Sequence, residues 1–506
     1  MLTRSVVRVG LLIVGILGVV ACRPATETGG TPDTPSELIF GLSGEPDTLD
    51  PHATAGTLTF QVTRSLYDTL VEPDRDGTIV PALAREWSVG EDRLTWTFTL
   101  RDDVLFHDGS TLDAEDVVAS LERLLDPELA SPNVFEYETI AAIQAPDEQT
   151  VVIRLDRPHA PLLATLASGW SAILPSELID SGHDFANEPV GTGPFSFAAW
   201  TRGASIELER NDSYWQDELP YLERVVFRNV PEQAVMAQAL ITGELDVADI
   251  LVEPELSLVQ QAASTKIHES DSGLVLVLTI NTRRSPLDRL RVRQAINAAI
   301  DKQAVMETAY SGGRVIHTFM DAGSPYYVDF SDLYSYDPEF AAAVAAEIEF
   351  EDELVLRLPQ NFEPHVRAGE LYHEMLRQAG FPVRTELVDW ATWLEDVFSA
   401  AQFDLTVIGH TGTLDPDGRL ARYGSGETYD GWVNPVALAA IEEARVVADQ
   451  SRRAELYAVA LEEMARELPF VYVGSPFRTV GLDVNLEGFH MDVQLESYDL
   501  RRARFR

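Results

Sequence analysis

The sequence predicts an α/β or α+β body of packed layers, on three observations. Strand-like and helix-like segments alternate along the 506 residues, the order that builds sheets covered by helices. Leu94-Thr-Trp-Thr-Phe-Thr-Leu100 alternates strictly, with Leu94, Trp96, Phe98 and Leu100 on one face and three threonines on the other. That pattern suits a sheet with one packed face and one wet face. Several helix-like segments also carry recognisable start and stop residues. The length allows about three domains at roughly 100–200 residues each. With 45% apolar and 24% charged residues, the chain has the composition of a soluble globular protein, which excludes disorder, collagen and a multi-spanning membrane protein.

The first element is an address. Arg4 and Arg8 precede an uncharged apolar run from Val9 to Ala21, the pattern of a secretory leader. The run is shorter than the roughly 20 residues of a bilayer-spanning helix. It ends in Val19-Val20-Ala21-Cys22, which resembles the lipobox of bacterial lipoproteins. That resemblance implies removal of residues 1–21, lipid on the Cys22 sulfur and acylation of its new amino end. Residues 22–37 then read as a flexible tether, since residues 23–37 hold three Pro, two Gly and no large apolar side chain.

Beyond the tether, Thr150–Leu155, Arg224–Arg228, Glu353–Leu358 and Asp404–Ile408 read as strands. The strongest apolar run, Leu274–Ile280, has strand length and β-branched character and is too short to span a membrane. Asp113 caps a helix running to about Leu125, with Asp116 three residues on. Pro231 opens a helix that Gly243 stops, and another runs from about Pro364 to Gln378 with Gly380 beyond it.

Charge and cysteine content bound the chemistry. The chain has 82 Asp+Glu against 38 Lys+Arg, a formal −44, and Lys266 and Lys302 are its two lysines. Loss of Arg4 and Arg8 with the leader makes the mature chain two charges more negative. Such a surface repels nucleic acid, whose binding needs clustered cations. A single cysteine excludes intramolecular disulfides and Cys-based zinc clusters. Enzyme motifs are scarce. His373-Glu374 lacks the second histidine of a zinc-protease helix, and Gly424-Ser425-Gly426 lacks the flanking residues of a nucleophile elbow. Gly191-Thr-Gly193 runs into Pro194, which supplies no N–H to a phosphate, so it reads as a domain-crossing turn. Asp102-Asp103 and Asp415-Pro-Asp417 read as turn and cap residues before catalytic pairs. No catalytic residue, metal site or cofactor is expected.

Longer stretches are more specific. Leu83-Ala-Arg-Glu-Trp87 leads into the block from Leu94 through Phe106-His-Asp-Gly109 to Val118. Gly44-Glu-Pro-Asp-Thr-Leu-Asp-Pro51 precedes it; Gly191-Thr-Gly-Pro-Phe195, Asn281-Thr282, Pro286 and Arg291–Asp301 follow in order. Together they resemble the solute-binding proteins of peptide and nickel ABC importers, extracellular solute-binding family 5, over roughly residues 38–490. The resemblance implies a two-lobed periplasmic-binding-protein type II (cluster C) fold with an extra subdomain inserted in the first lobe. Lobe I is expected at 38–69, 190–277 and 470–506, the inserted subdomain at 70–189 and lobe II at 278–469. The interlobe hinge is expected near 278 and 470. It also implies a monomer outside the cytoplasm, in the periplasm or on the outer face, lipid-anchored at Cys22. There it would take a solute, an oligopeptide by default, to an ABC permease with its ATPase, doing no bond chemistry.

In the family, the segment after a buried lobe II strand contributes strongly to the pocket, and here it is Asp404 to Arg419. Peptide binders usually carry an Asp shortly after an aromatic in this segment, paired with the peptide's ammonium. Here His410 replaces the aromatic, and the acid's place falls at Gly412 or Thr413, with Asp415 and Asp417 slightly later. The expected ligand-binding residues are therefore His410, Thr411, Gly412, Thr413, Asp415 and Asp417, with Trp390. Trp390 and Trp393 share a helical face and read either as core or as a stacking platform. The family's nickel branch uses a histidine near this cleft, so His410 keeps a nickel or other metal chelate open as ligand, and the tryptophans keep an oligosaccharide open. Two other classes remain: an envelope hydrolase, against which stands the lack of any nucleophile–base spacing, and an envelope peptide sensor.

Overall fold

The computed structural model describes residues 36–506 apart from 55, 76, 250, 361, 412 and 493–496. The leader, Cys22, almost all of the tether and Gly412 lie outside the described residues. Regular structure starts with β1 (Glu37–Leu42), the central strand of a seven-stranded sheet. The order in that sheet is Thr265–Asp271 (β2), Phe477–Asp483, Val247–Ala248, β1, Arg224–Asn229, Ser205–Arg210 and Phe195–Thr201. β1 pairs in parallel with Arg224–Asn229 and Val247–Ala248, and the other pairs are antiparallel.

A six-stranded sheet follows. Its strands, in order, are Arg314–Val315, Phe470–Ser475, Val275–Ile280 (β3), Leu405–His410 (β4), Leu354–Pro359 and Val383–Val388. All six residues of β3 are buried, which explains an apolar run without alternation: both faces are covered. Leu276, Leu278 and Ile280 pack into the core shared with the helices Leu290–Ala299 and Glu363–Gln378. Val275 and Val277 pack on the opposite face with Phe319 and the helices Pro435–Val446 and Gln450–Glu467. A smaller four-stranded antiparallel sheet carries Ala84–Val89, Thr95–Leu100, Thr150–Leu155 and Ile140–Asp147. Trp96, Phe98 and Leu100 are buried there and the intervening threonines are half-buried, as the alternation predicts.

Local signals did their expected work. The helix Ala114–Leu125 starts at a capping box: Asp113 Oδ1 accepts from the backbone N–H of Glu115 at 2.8 Å, and Asp116 Oδ2 accepts from that of Asp113 at 2.9 Å. Gly243 ends the helix Gln233–Thr242 with φ +78°, where a side chain would strain the backbone. Gly191 and Gly193 are needed for close approach, because a Cβ on either would lie 2.3–2.4 Å from the Leu66 backbone. The Gly193 N–H donates to Leu66 O at 3.0 Å, so this segment is a tight junction.

The chain passes between the two large sheets twice. β2 and β3 are joined over 272–274, and Phe470–Ser475 (β5) is joined to Phe477–Asp483 (β6) through Pro476. The expected positions near 278 and 470 fall within β3 and at the start of β5. β2 pairs with β6 on one side of the junction and β3 with β5 on the other, so the passages are neighbours. Ser272 Oγ donates to Pro476 O and Ser475 Oγ to Ser272 O, both at 2.7 Å.

Candidate functional site

The register of β2 on β6 sets one wall of a cleft between the sheets. Glu269 stands opposite Thr479 and Asp271 opposite Phe477. Glu269, Phe477 and Thr479 line a cavity of about 1100 Å³, with Leu251 and Val252 from the loop after Val247–Ala248. The facing wall belongs to elements around the six-stranded sheet: Tyr310, Phe362, Trp390, Phe398, His410 and Tyr429. Concave, largely apolar sites at domain interfaces are where small ligands are buried.

Aromatic geometry organises that wall. Trp390 stacks on Trp393 with centroids 5.0 Å apart and planes at 7°, and meets Phe362 edge-on at 5.2 Å. Trp393 is core, with its Nε1–H donating to Thr406 Oγ1 at 3.0 Å, and it presents Trp390 to the cleft. Of the two roles the sequence left open, Trp393 takes the core one, while Trp390 is exposed and lines the cavity. Trp393–Ser399 is wound as a π-helix, a form concentrated at functional sites. Phe362, Trp390, Leu394 and Phe398 keep 39%, 36%, 40% and 53% of their surface exposed, and Val252 keeps 51%. All five line the one cavity, so this exposed apolar surface is gathered in one place.

His410, half-buried at the end of β4, shares a hydrogen bond between Nε2 and Tyr429 OH at 3.1 Å, and Tyr429 OH meets Thr279 Oγ1 at 2.9 Å. Phe319 packs edge-on against the imidazole at 4.8 Å. Desolvation, with the nearby Arg419 charge, lowers its pKa to about 3, so the ring is neutral at ordinary pH. His365 lines the same cavity, pairs through Nδ1 with Tyr310 OH at 3.0 Å, and is lowered to about 4 by burial. Among the described residues no group of three or more His, Cys, Asp or Glu side chains could hold a metal ion.

The other expected site residues are divided by the loop after β4. His410, Thr411 and Trp390 line the first cavity; Thr413, Asp415 and Asp417 line a second, of about 790 Å³, shared with Phe60, Trp170 and His159. Asp415 is committed elsewhere. Its carboxylate takes both Arg453 Nη1 and Nη2 at 2.6 and 2.8 Å, with both side chains buried, and accepts from Tyr457 OH at 3.3 Å. Asp417 lies 2.9 Å from Arg445 Nε, and burial raises its pKa to about 6. Thr413 Oγ1 donates to Asp415 O at 2.8 Å, and Thr411 O accepts from the buried Arg419 Nη2 at 2.8 Å.

Three carboxylates line the first cavity. Glu253 accepts from Ser257 Oγ at 2.9 Å, and Glu363 pairs with Arg367 at 2.8 Å. The Glu269 side chain has no hydrogen bond or ion pair among the described residues. It carries no sequence signal, because its place comes from β2 pairing with a strand some 200 residues later. The same holds for Tyr310, Phe362, His365 and Phe477, which converge from separate segments.

The family description "Bacterial extracellular solute-binding proteins, family 5 Middle" matches residues 78–431. The chain is 29% identical to Di/tripeptide-binding protein 3 of Pseudomonas aeruginosa, over 86% of this chain and 88% of that one. It is 28% identical to the glutathione-binding protein GsiB of Salmonella paratyphi A, over 77% and 75%. The fold matches HbpA2 from Haemophilus parasuis with a TM-score of 0.85 at 24% identity, over 93% of this chain and all of that one.

The Asp415–Arg453 pair has a direct consequence for stability. Asp415→Asn leaves a buried guanidinium without its counter-charge, and chemical denaturation is expected to show a loss of about 3–5 kcal/mol. A loss below about 1 kcal/mol would contradict this reading of the pair.

Proposed function

The chain belongs to the bacterial extracellular solute-binding proteins, family 5, with their two-lobed type II fold, and we propose that it captures short peptides between its lobes and delivers them to an ABC permease. As a member of that family it binds solute outside the cytoplasm and catalyses no reaction, and among the described residues no helix is long and apolar enough to cross a membrane. Lobe I is read on the seven-stranded sheet, the inserted subdomain (70–189) on the four-stranded sheet and lobe II on the six-stranded sheet. The hinge is read at 272–274 and 476, where few dihedral angles join the lobes.

The observation that carries the peptide reading is the pairing of walls in the larger cavity: exposed aromatics on lobe II facing an unpaired carboxylate, Glu269, on lobe I. A peptide offers apolar side chains to the first and an ammonium to the second. Gly412 or Thr413 stands where the family's ammonium-binding Asp is expected, and Asp415 is held by Arg453, so Glu269 is the acid left to do that work. Transfer is then a matter of differential affinity: closure buries the ligand, and the permease recognises the closed form. The names of the relatives, di/tripeptide and glutathione binders, support a short peptide over a long one.

Calorimetry with di- and tripeptides is expected to show binding. N-acetylation of the peptide or Glu269→Gln is expected to weaken it by about tenfold or more, since hydrogen bonds to charged groups contribute about 1.5–3 kcal/mol. Acetylated peptide binding as well as free peptide would contradict the role of Glu269. Binding of nickel chelates alone, lost in His410→Ala, would replace the peptide by a metal chelate; binding of neither would favour an oligosaccharide.

Anchoring has its own test. Lipid on Cys22 is supported by the lipobox-like Val19-Val20-Ala21-Cys22 and the tether after it. Cys22→Ser is expected to move the protein from the membrane fraction to the soluble fraction or block its processing. A variant that fractionates and migrates like the wild type would refute the anchor.

A further inference from the structure

On the far side of lobe I the charge balance of the chain is inverted. Along β2, Ile267 and Glu269 alternate with Lys266 and His268, and strand geometry sends these two pairs to opposite faces. Glu269 lines the interlobe cavity, while Lys266 and His268 line a separate concavity of about 570 Å³. Five cations, Arg75, Lys266, Arg502, Arg504 and Arg506, stand there against one carboxylate, Glu487. The whole chain has more than twice as many acids as bases, so this clustering runs strongly against composition.

Internal pairing accounts for part of the cluster only. Lys266 Nζ donates to Val484 O at 3.2 Å and to Leu486 O, Arg506 Nε pairs with Glu487 Oε1 at 2.5 Å, and Arg504 lies over the Tyr221 ring at 5.2 Å. Arg75 and Arg502 are exposed and have no hydrogen bond or ion pair among the described residues. Their guanidinium forks match the geometry of phosphate oxygens.

The concavity also adjoins the point where the described chain begins. Tyr221, on its wall, donates its backbone N–H to Arg501 O at 3.2 Å, and two residues on, Glu223 N–H donates to Ser36 O at 2.7 Å. Residues 23–35 alone separate Ser36 from Cys22. We propose that this basic concavity binds phosphate-bearing anions, in the first place the phosphodiester headgroups of the membrane that holds the anchor. The headgroup part rests on the anchor reading above; the phosphate site does not. Net negative charge does not forbid the contact, because charges beyond a Debye length of about 8 Å are largely screened. The acidic remainder of the surface is then turned away from the bilayer, which leaves this face next to it.

The test uses the mature chain, residues 22–506 carrying Cys22→Ser, so that neither lipid nor the apolar leader contributes. Co-flotation with vesicles of phosphatidylglycerol in phosphatidylcholine is one arm, and titration of inorganic pyrophosphate is the other. Anionic vesicles are expected to bind, pure phosphatidylcholine vesicles are not, and Arg75→Ala with Arg502→Ala is expected to weaken partitioning by about tenfold or more. Both substituted side chains are exposed and unpaired, so peptide capture in the cleft is expected to be unchanged. Pyrophosphate binding that the double variant abolishes, without vesicle binding, supports the site with a free phosphate as its ligand. Binding of neither probe, or binding unchanged in the double variant, overturns the proposal. Neither result bears on the anchor itself, which Cys22→Ser fractionation reads independently.

Discussion

The cleft depends on one constraint: the polypeptide passes between its two large sheets twice, side by side, and the passages are tied to each other. Ser272 and Ser475 exchange hydrogen bonds across the junction through Pro476 O and Ser272 O. Arg314, from the edge of the six-stranded sheet, reaches back to Asp271 at the end of β2 at 2.6 Å. A paired β2–β6 ribbon on one side and a paired β3–β5 ribbon on the other leave only a few residues free to turn. The same pairings fix which residues of the two sheets face each other across the cleft.

Arg419 extends this junction to the wall of the larger cavity. Its Nη2 donates to Gly273 O, in the first passage, and to Thr411 O, beside His410, both at 2.8 Å. The guanidinium is buried and sits 3.4 Å from Asp321 Oδ2, also buried. Burying such a pair is costly unless its geometry and hydrogen bonds compensate, so its value here is positional. It holds the end of β4 at a set distance from the first passage.

Much of the fold was legible locally, for reasons that the structure makes concrete. Trp96, Phe98 and Leu100 face a core because period-two alternation leaves one face to bury, and Asp113 with Asp116 caps a helix because those carboxylates satisfy its first N–H groups. β3 was legible as a strand from length and β-branching alone, since burial on both faces erases alternation. The site was legible only in part. His410 and Trp390 do line the cleft, yet Asp415 is neutralised by an arginine 38 residues downstream, a pairing with no local signal. Glu269 gained its position from strand register across lobe I, and Phe477 from its place after the second passage. Long-range pairing decides which carboxylate is free, and spacing along a chain does not record it.

The central claim is that a ligand is held between the two lobes by closure about this junction. Small-angle scattering of the mature chain, with and without a saturating short peptide, reads that motion most directly. The account predicts a smaller radius of gyration with peptide bound. An unchanged profile, on a sample whose saturation calorimetry has established, would contradict it.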